Sequence, residues 1–193
     1  MSELDPTTTA GKAVSQLTLI LGGARSGKST YAQAWAEGLA GERVLFVATA
    51  EAGDEEMQER ISRHRELRPA AWRTLEAPTR VGEALRASWK GEPAVILDCL
   101  TLLVANTLAA YPEPASAAAR AGVLEEVEGL LDALRDLETH ALIVSNEVGL
   151  GLVPPNPLGR AYRDLLGEAN QLIARRADAV IFMVAGIPMR IKG

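Results

Sequence analysis

One octapeptide constrains this chain more than any other feature. Gly22-Gly23-Ala24-Arg25-Ser26-Gly27-Lys28-Ser29 fits the pattern G-x-x-x-x-G-K-[ST]. Its glycines let backbone N–H groups converge on phosphate oxygens. A helix starting where the loop ends adds partial positive charge at the same point. Such a loop works only between a buried strand and a helix, and both flanks comply. Apolar Leu17-Thr18-Leu19-Ile20-Leu21 precedes it, and Ser29–Leu39 reads as helix. The pattern puts Lys28 between the β- and γ-phosphates of a nucleoside triphosphate and the Ser29 hydroxyl on Mg²⁺.

The rest of the chain supplies a matching frame. Leu17–Leu21, Val44–Ala48, Ala94–Leu97, Ala141–Ser145 and Val180–Val184 are short apolar runs bounded by polar or turn residues, the signature of buried parallel strands. Trp72–Glu76 is a further short strand candidate, and Ile187–Lys192 reads as an edge strand. Helical stretches are expected over about 28–39, 54–66, 79–90, 100–110, 117–138 and 159–177. This alternation predicts a single α/β domain over residues 17–193, a mostly parallel sheet with helices on both faces. Residues 1–16 are small and polar, with Pro6 and three consecutive threonines, and read as a flexible extension without the basic start and apolar stretch of a signal peptide.

Composition narrows the partners. A net charge of −5 argues against a nucleic-acid binder working through a broad basic face, while leaving room for a small anion held locally. No apolar run reaches the length of a membrane span, roughly 20 residues. The single cysteine, Cys99, excludes an intrachain disulfide and a multi-cysteine zinc site, and fits a reducing, cytoplasmic setting.

A phosphate loop calls for an acidic metal partner at the end of a later strand, and Ala94-Val95-Ile96-Leu97-Asp98 offers one. Asp98 could instead cap the next helix, as could Thr101. Cys99 reads as a packing residue. In the segment 51–68, Asp54 is a candidate N-cap, Arg60 and His64 lie four apart on one helix face, and Arg63, Arg65 and Arg68 gather positive charge around His64. Either this is a basic helix end favourable to the dipole with His64 merely solvated, or His64 is a nucleophile. A neutral imidazole beside arginines could attack an α-phosphate while they stabilise the developing charge. His140 reads as structural, placed between a helix end and a strand. Val153–Pro157 holds three prolines and cannot be ordinary helix; it is a rigid connector or a ligand-contacting loop beyond a strand C-terminus.

Taken together, GGARSGKS, VATAEAGDEEMQERISRHRELRPAAWRTLE, LDCLT and SNEVGLGLVPPNPLGRAYRDLLGEANQ resemble the bifunctional adenosylcobinamide kinase/adenosylcobinamide-phosphate guanylyltransferase family, over about Leu17 to Lys192. The resemblance implies two reactions. ATP or GTP phosphorylates the aminopropanol hydroxyl of adenosylcobinamide. GTP then donates GMP to that phosphate through a GMP–histidine intermediate, giving adenosylcobinamide-GDP and pyrophosphate. His64, in the H-x-x-x-R-P context His64–Pro69, matches the histidine. Nucleotide contacts carry over to Gly22, Gly23, Ala24, Arg25, Ser26, Gly27, Lys28 and Ser29. They continue at Ala48, Thr49, Ala50, Arg65, Glu66, Leu67, Arg68, Glu76 and Asp98. Asn146 and Glu147 match the family's S/T-N-E-V-G segment, where a carboxylate would assist the attacking hydroxyl or order Mg²⁺. Members often carry a histidine just before the nucleophile; here that position is Arg63. The implied fold is a recombinase-like P-loop domain, the implied assembly a homotrimer, and the expected corrinoid contacts lie at Pro154–Pro157 and a subunit boundary. Two other classes compete: a monofunctional P-loop kinase on a small alcohol, which leaves the histidine segment idle, and a nucleotide-dependent switch, for which the guanine-reading N-K-x-D motif is missing.

Overall fold

The computed structural model describes residues 15–51 and 68–193. The helix expected over 54–66, and with it His64, Arg65, Glu66 and Leu67, lies outside them, as do residues 1–14. The described elements are, in order, β1 (Leu17–Gly22), α1 (Lys28–Ala40), β2 (Val44–Ala48), β3 (Arg73–Glu76), α2 (Val81–Ser88), β4 (Ala94–Asp98), α3 (Leu100–Ala109), α4 (Ala117–Asp136), β5 (His140–Val144), α5 (Pro157–Arg176), β6 (Ala179–Val184) and β7 (Ile187–Lys192).

The strands form one sheet in the order β3-β2-β4-β5-β1-β6-β7. Every neighbouring pair is parallel except β6 and β7, which form an antiparallel hairpin at the edge. Strands covered on both faces lose the polar alternation of half-exposed ones. All five residues of β2 are accordingly buried and apolar. Alternate side chains feed two cores. Leu45, Val47, Val95 and Leu97 meet α2, α3, α4 and α5 on one face. Val44, Phe46 and Ile96 meet Ala32 and Ala36 of α1 on the other. The expected α/β domain with helices on both faces is what forms, and no helix among the described residues is long and apolar enough to cross a membrane.

Boundaries shift where local chemistry was hidden. The helix expected over 79–90 begins only at Val81, because Arg80 takes a left-handed φ of 53°. Its first amides are satisfied from another helix: Glu126 of α4 accepts from Arg80 N and Val81 N, both at 2.8 Å. Its contact with α4 is close enough that a Cβ on Gly82 would lie 2.3 Å from the Gly129 carbonyl. Pro157, expected in a non-helical connector, opens α5, since the first amide of a helix has no partner to lose. His140 is the first residue of β5 rather than part of a connector, and Trp72 precedes β3 instead of opening it.

Register fixes the site. Pairings Ala48↔Glu76, Ala48↔Asp98, Asp98↔Val144 and Ile20↔Val144 place Glu76, Ala48, Asp98, Val144 and Ile20 in one row across the sheet. That row is the C-terminal edge of the parallel strands, where open α/β sheets take their ligands.

Candidate active site

The phosphate loop bridges β1 and α1 as its sequence requires. Gly22 ends β1 at φ 153°, and a Cβ there would lie 2.5 Å from the Met183 carbonyl oxygen of β6. Gly27 takes the left-handed conformation at φ 92° as the N-cap of α1, so backbone alone shapes the turn into the helix. Gly23, Ala24 and Arg25 are exposed at the tip. Two neighbours hold the loop by main chain: Glu147 N donates to Gly22 O at 3.1 Å, and Gly186 N donates to Ser26 O at 3.0 Å. The second comes from the two-residue β6–β7 turn, in which Ala185 and Gly186 have φ of 52° and 82°.

Lys28 is buried, and its ammonium donates to Gly23 O at 2.5 Å and lies 3.4 Å from Ser26 Oγ. The charge therefore sits inside the loop, on the side where phosphate oxygens would replace a carbonyl and a hydroxyl as its acceptors. Ser29 follows in the first turn of α1.

Asp98 closes β4, two strand spacings from β1, or about 10 Å. By alternation it faces the α1 side, with Ile96 and Ala48. Neither Asp98 nor Thr101 caps α3: the N-cap is Cys99, without a side-chain cap bond. Thr101 instead accepts from Asn146 N at 3.1 Å. The Asp98–Cys99 peptide bond is cis. Thr49 is fully buried, and its hydroxyl accepts from Cys99 N at 2.9 Å and donates to Cys99 O at 2.7 Å. Asn106 takes the Thr49 carbonyl at 2.8 Å. Thr49 thus holds the exits of β2 and β4 together, with Ala48 on the row before it and Ala50 following it in the chain.

Arg68 and Glu76 line one open cleft of about 400 Å³, with Pro69, Ala70, Trp72 and Thr74. The Arg68 guanidinium lies 3.8 Å from the centre of the Phe46 ring, a cation–π contact, and 3.5 Å from Thr74 Oγ1. Of the residues expected at the site, Gly22–Ser29, Ala48–Ala50, Asp98 and Glu76 share the C-terminal edge, and Arg68 joins them through the cleft.

Sequence reasoning missed the network behind β5. Asn170 of α5 is buried, accepts from the Ser145 hydroxyl at 2.7 Å, and donates to Asn146 O at 3.1 Å. With Thr101 on Asn146 N, this fixes the path of Asn146 and Glu147 beside Gly22. Only an Asn at the right helical phase of α5 could have hinted at it. Burial and the neighbouring Asp98 push the Cys99 thiol up to about 11, although the amides of Thr101 and Leu102 favour the thiolate. Burial, with Cys99 nearby, raises the Tyr162 phenol to about 12; its oxygen lies 3.3 Å from Thr101 O. Both groups are neutral at physiological pH and serve as packing beneath the site.

Comparisons with known proteins place the chain in a family. A family model described as cobinamide kinase / cobinamide phosphate guanyltransferase matches residues 18–191. The chain is 46% identical over 178 residues to the bifunctional adenosylcobalamin biosynthesis protein CobP of Pseudomonas aeruginosa, spanning 91% of this chain and 96% of that protein. It is 39% identical over 184 residues to the bifunctional adenosylcobalamin biosynthesis protein CobU of Salmonella typhimurium, spanning 91% and 99%. The CobU protein of Escherichia coli is 37% identical over the same length and the same shares.

Proposed function

The chain belongs to the cobinamide kinase / cobinamide phosphate guanyltransferase family, and on that premise we propose that one nucleotide site on the C-terminal edge of the sheet serves both of its reactions. The observation that carries this is the convergence on that edge of a loop closed around the Lys28 ammonium, the Ser29 turn and the Asp98 carboxylate.

In the first reaction the hydroxyl oxygen of adenosylcobinamide attacks the γ-phosphorus of ATP or GTP. The bond to the β–γ bridging oxygen breaks, and the nucleoside diphosphate leaves. Lys28 and the loop amides take up the charge that moves onto the leaving oxygens. In the second, an imidazole nitrogen of His64 attacks the α-phosphorus of GTP and releases pyrophosphate. A phosphate oxygen of adenosylcobinamide phosphate then attacks the same phosphorus, displaces the histidine and forms adenosylcobinamide-GDP. Lys28 serves both steps because both expel negative charge from a held triphosphate.

Ser29 and Asp98 are hard oxygen donors of the kind Mg²⁺ takes, and a bound Mg²⁺ would offset phosphate charge. Assembly as a homotrimer and residence in the cytoplasm belong to the same reading, and light scattering tests the first.

The test is incubation with GTP labelled in the α-phosphate, without corrinoid. Protein that keeps acid-labile, comparatively base-stable label after denaturation, with pyrophosphate released in equal amount, supports the reading. A monofunctional kinase or a switch would keep no label.

A further inference from the structure

We propose that Thr101 and Asn170 are positioning residues for both reactions: held between them, the main chain of Asn146 sets the spacing between the phosphate loop and Asp98. This rests on the bifunctional reading above, in which loop and carboxylate act on one triphosphate. β5 lies between β4, which ends on Asp98, and β1, which ends in the loop. Its ladders to both stop at one residue, Val144, paired with Asp98 on one side and Ile20 on the other. Past Val144 neither ladder fixes how far apart the two exits stand.

Side chains take over there. Thr101, in the first turn of α3 and just past Asp98, accepts from Asn146 N at 3.1 Å. Asn170 of α5 donates to Asn146 O at 3.1 Å. One residue on, Glu147 N donates to Gly22 O at 3.1 Å. Asn146 thus joins the chain leaving Asp98 to the chain entering the phosphate loop. The Ser145 hydroxyl donates to Asn170 Oδ1 at 2.7 Å, which holds the carboxamide with its N–H towards Asn146. Tyr162 of α5 donates to Thr101 O at 3.3 Å and ties the two helices that carry the clamp.

Packing alone does not call for this cluster. The other buried residues of α5 are all apolar: Leu165, Leu166, Ala169 and Ile173. A leucine in place of Asn170 would suit that face without a polar group to satisfy. A satisfied polar cluster instead admits one arrangement of its members, which apolar packing does not enforce. Both reactions need that precision, because charge moves onto oxygens held by Lys28 and the loop amides, and a displacement of about 1 Å can cost about a hundredfold in rate. Nucleotide binding before reaction tolerates such a shift better, since the loop carries its ligand with it.

Three variants of the full chain test this, with rates taken per folded molecule from urea titration. Thr101→Val keeps the shape and removes the acceptor. Asn170→Asp keeps the acceptor for Ser145 and removes the donor to Asn146. In each, kcat should fall by about tenfold or more in both the kinase and the guanylyl assay, with the KM for GTP within about threefold of wild type. Thr101→Ser, which keeps the hydroxyl, should hold kcat within about twofold of wild type. A kcat near wild type in both Thr101→Val and Asn170→Asp would overturn the proposal. So would a loss confined to KM, or a loss in Thr101→Ser equal to that in Thr101→Val. If one of the two clamp variants does not fold, the other decides; if neither folds, the cluster belongs to the fold alone and the proposal fails. A wild type that turns over neither corrinoid substrate defeats the bifunctional reading itself, and that is seen before any variant is compared.

Discussion

The two ends of the parallel strands are built on opposite plans. At the N-terminal end, polar side chains are spent on holding the frame. Glu92 is buried, and its carboxylate accepts from the Arg73 guanidinium and from Lys90 N at 2.7 Å. Its carbonyl accepts from Trp89 Nε1 at 3.2 Å and the Thr139 hydroxyl at 2.9 Å. Asp178 accepts from Leu17 N at 2.8 Å. Where the chain there turns left-handed it uses glycine, at Gly41 and Gly91. At the C-terminal end the described residues with positive φ include three that are not glycine, Arg25, Arg80 and Ala185. Such a conformation costs about 1 kcal/mol for a residue with a Cβ. The phosphate loop is held there by main-chain bonds, leaving its amides and the Lys28 side chain to face a ligand. One end carries stability; the other accepts strain and exposure for the sake of binding.

Substitutions at the two ends should therefore separate activity from stability. Of the substitutions that contrast the two ends, the largest effect is expected at Asp98. Asp98→Asn keeps the shape but loses the charge that favours a cation, so Mg²⁺-dependent turnover should fall by about a hundredfold while the thermal midpoint stays close to wild type. Equal losses of both would make Asp98 a structural residue.

Glu92→Ala should do the reverse. It removes the carboxylate partner of a partly exposed Arg73 guanidinium, which keeps its bond to Ser88 O, and of the Lys90 amide, and should cost roughly 1–2 kcal/mol of unfolding free energy, after discount for the solvent around Arg73. Turnover per folded molecule should not change; urea titration with parallel assays reads both.

A smaller effect follows from Cys99. Its thiol is raised from 9.0 to about 11 in the folded chain, so folding favours the protonated form. The stability it contributes is complete below about pH 9 and is lost as pH rises towards about 11. Thermal melts across that window should fall more steeply for wild type than for Cys99→Ala. The smallest effect is at Ala185. Ala185→Gly relieves the left-handed turn and should stabilise the fold by about 0.5–1 kcal/mol, net of the freedom glycine gains when unfolded. A destabilised variant would mean that the turn carries no such strain.

The same contrast explains what could be read from sequence. Val44–Ala48 and Ala94–Leu97 were legible as strands because burial on both faces leaves a continuous apolar run. The loop at Gly22–Ser29 was legible because phosphate binding dictates residue types at consecutive positions. What stayed hidden depends on partners distant in the chain. Nothing near Arg80 reveals that Glu126 caps its helix, and nothing near Asn146 reveals Thr101 and Asn170. Thr49 was legible as part of a motif, but its closed hydroxyl contacts with the Cys99 peptide required the β2–β4 register. The β6–β7 turn that steadies Ser26 has no signature beyond Ala185-Gly186.

The central claim is that one triphosphate site serves two chemically distinct attacks, and a paired measurement on Lys28→Ala and His64→Ala tests it most directly. Both reactions are assayed for each variant at saturating nucleotide. On this account Lys28 holds the triphosphate in either step, so Lys28→Ala should lose both activities by about a hundredfold or more. On the same account the His64 imidazole attacks only the α-phosphorus, so His64→Ala should lose guanylyl transfer and its acid-labile GMP label while keeping a measurable share of kinase activity. Wild-type GMP labelling in His64→Ala, or a Lys28→Ala variant that loses one reaction and keeps the other, would contradict the account.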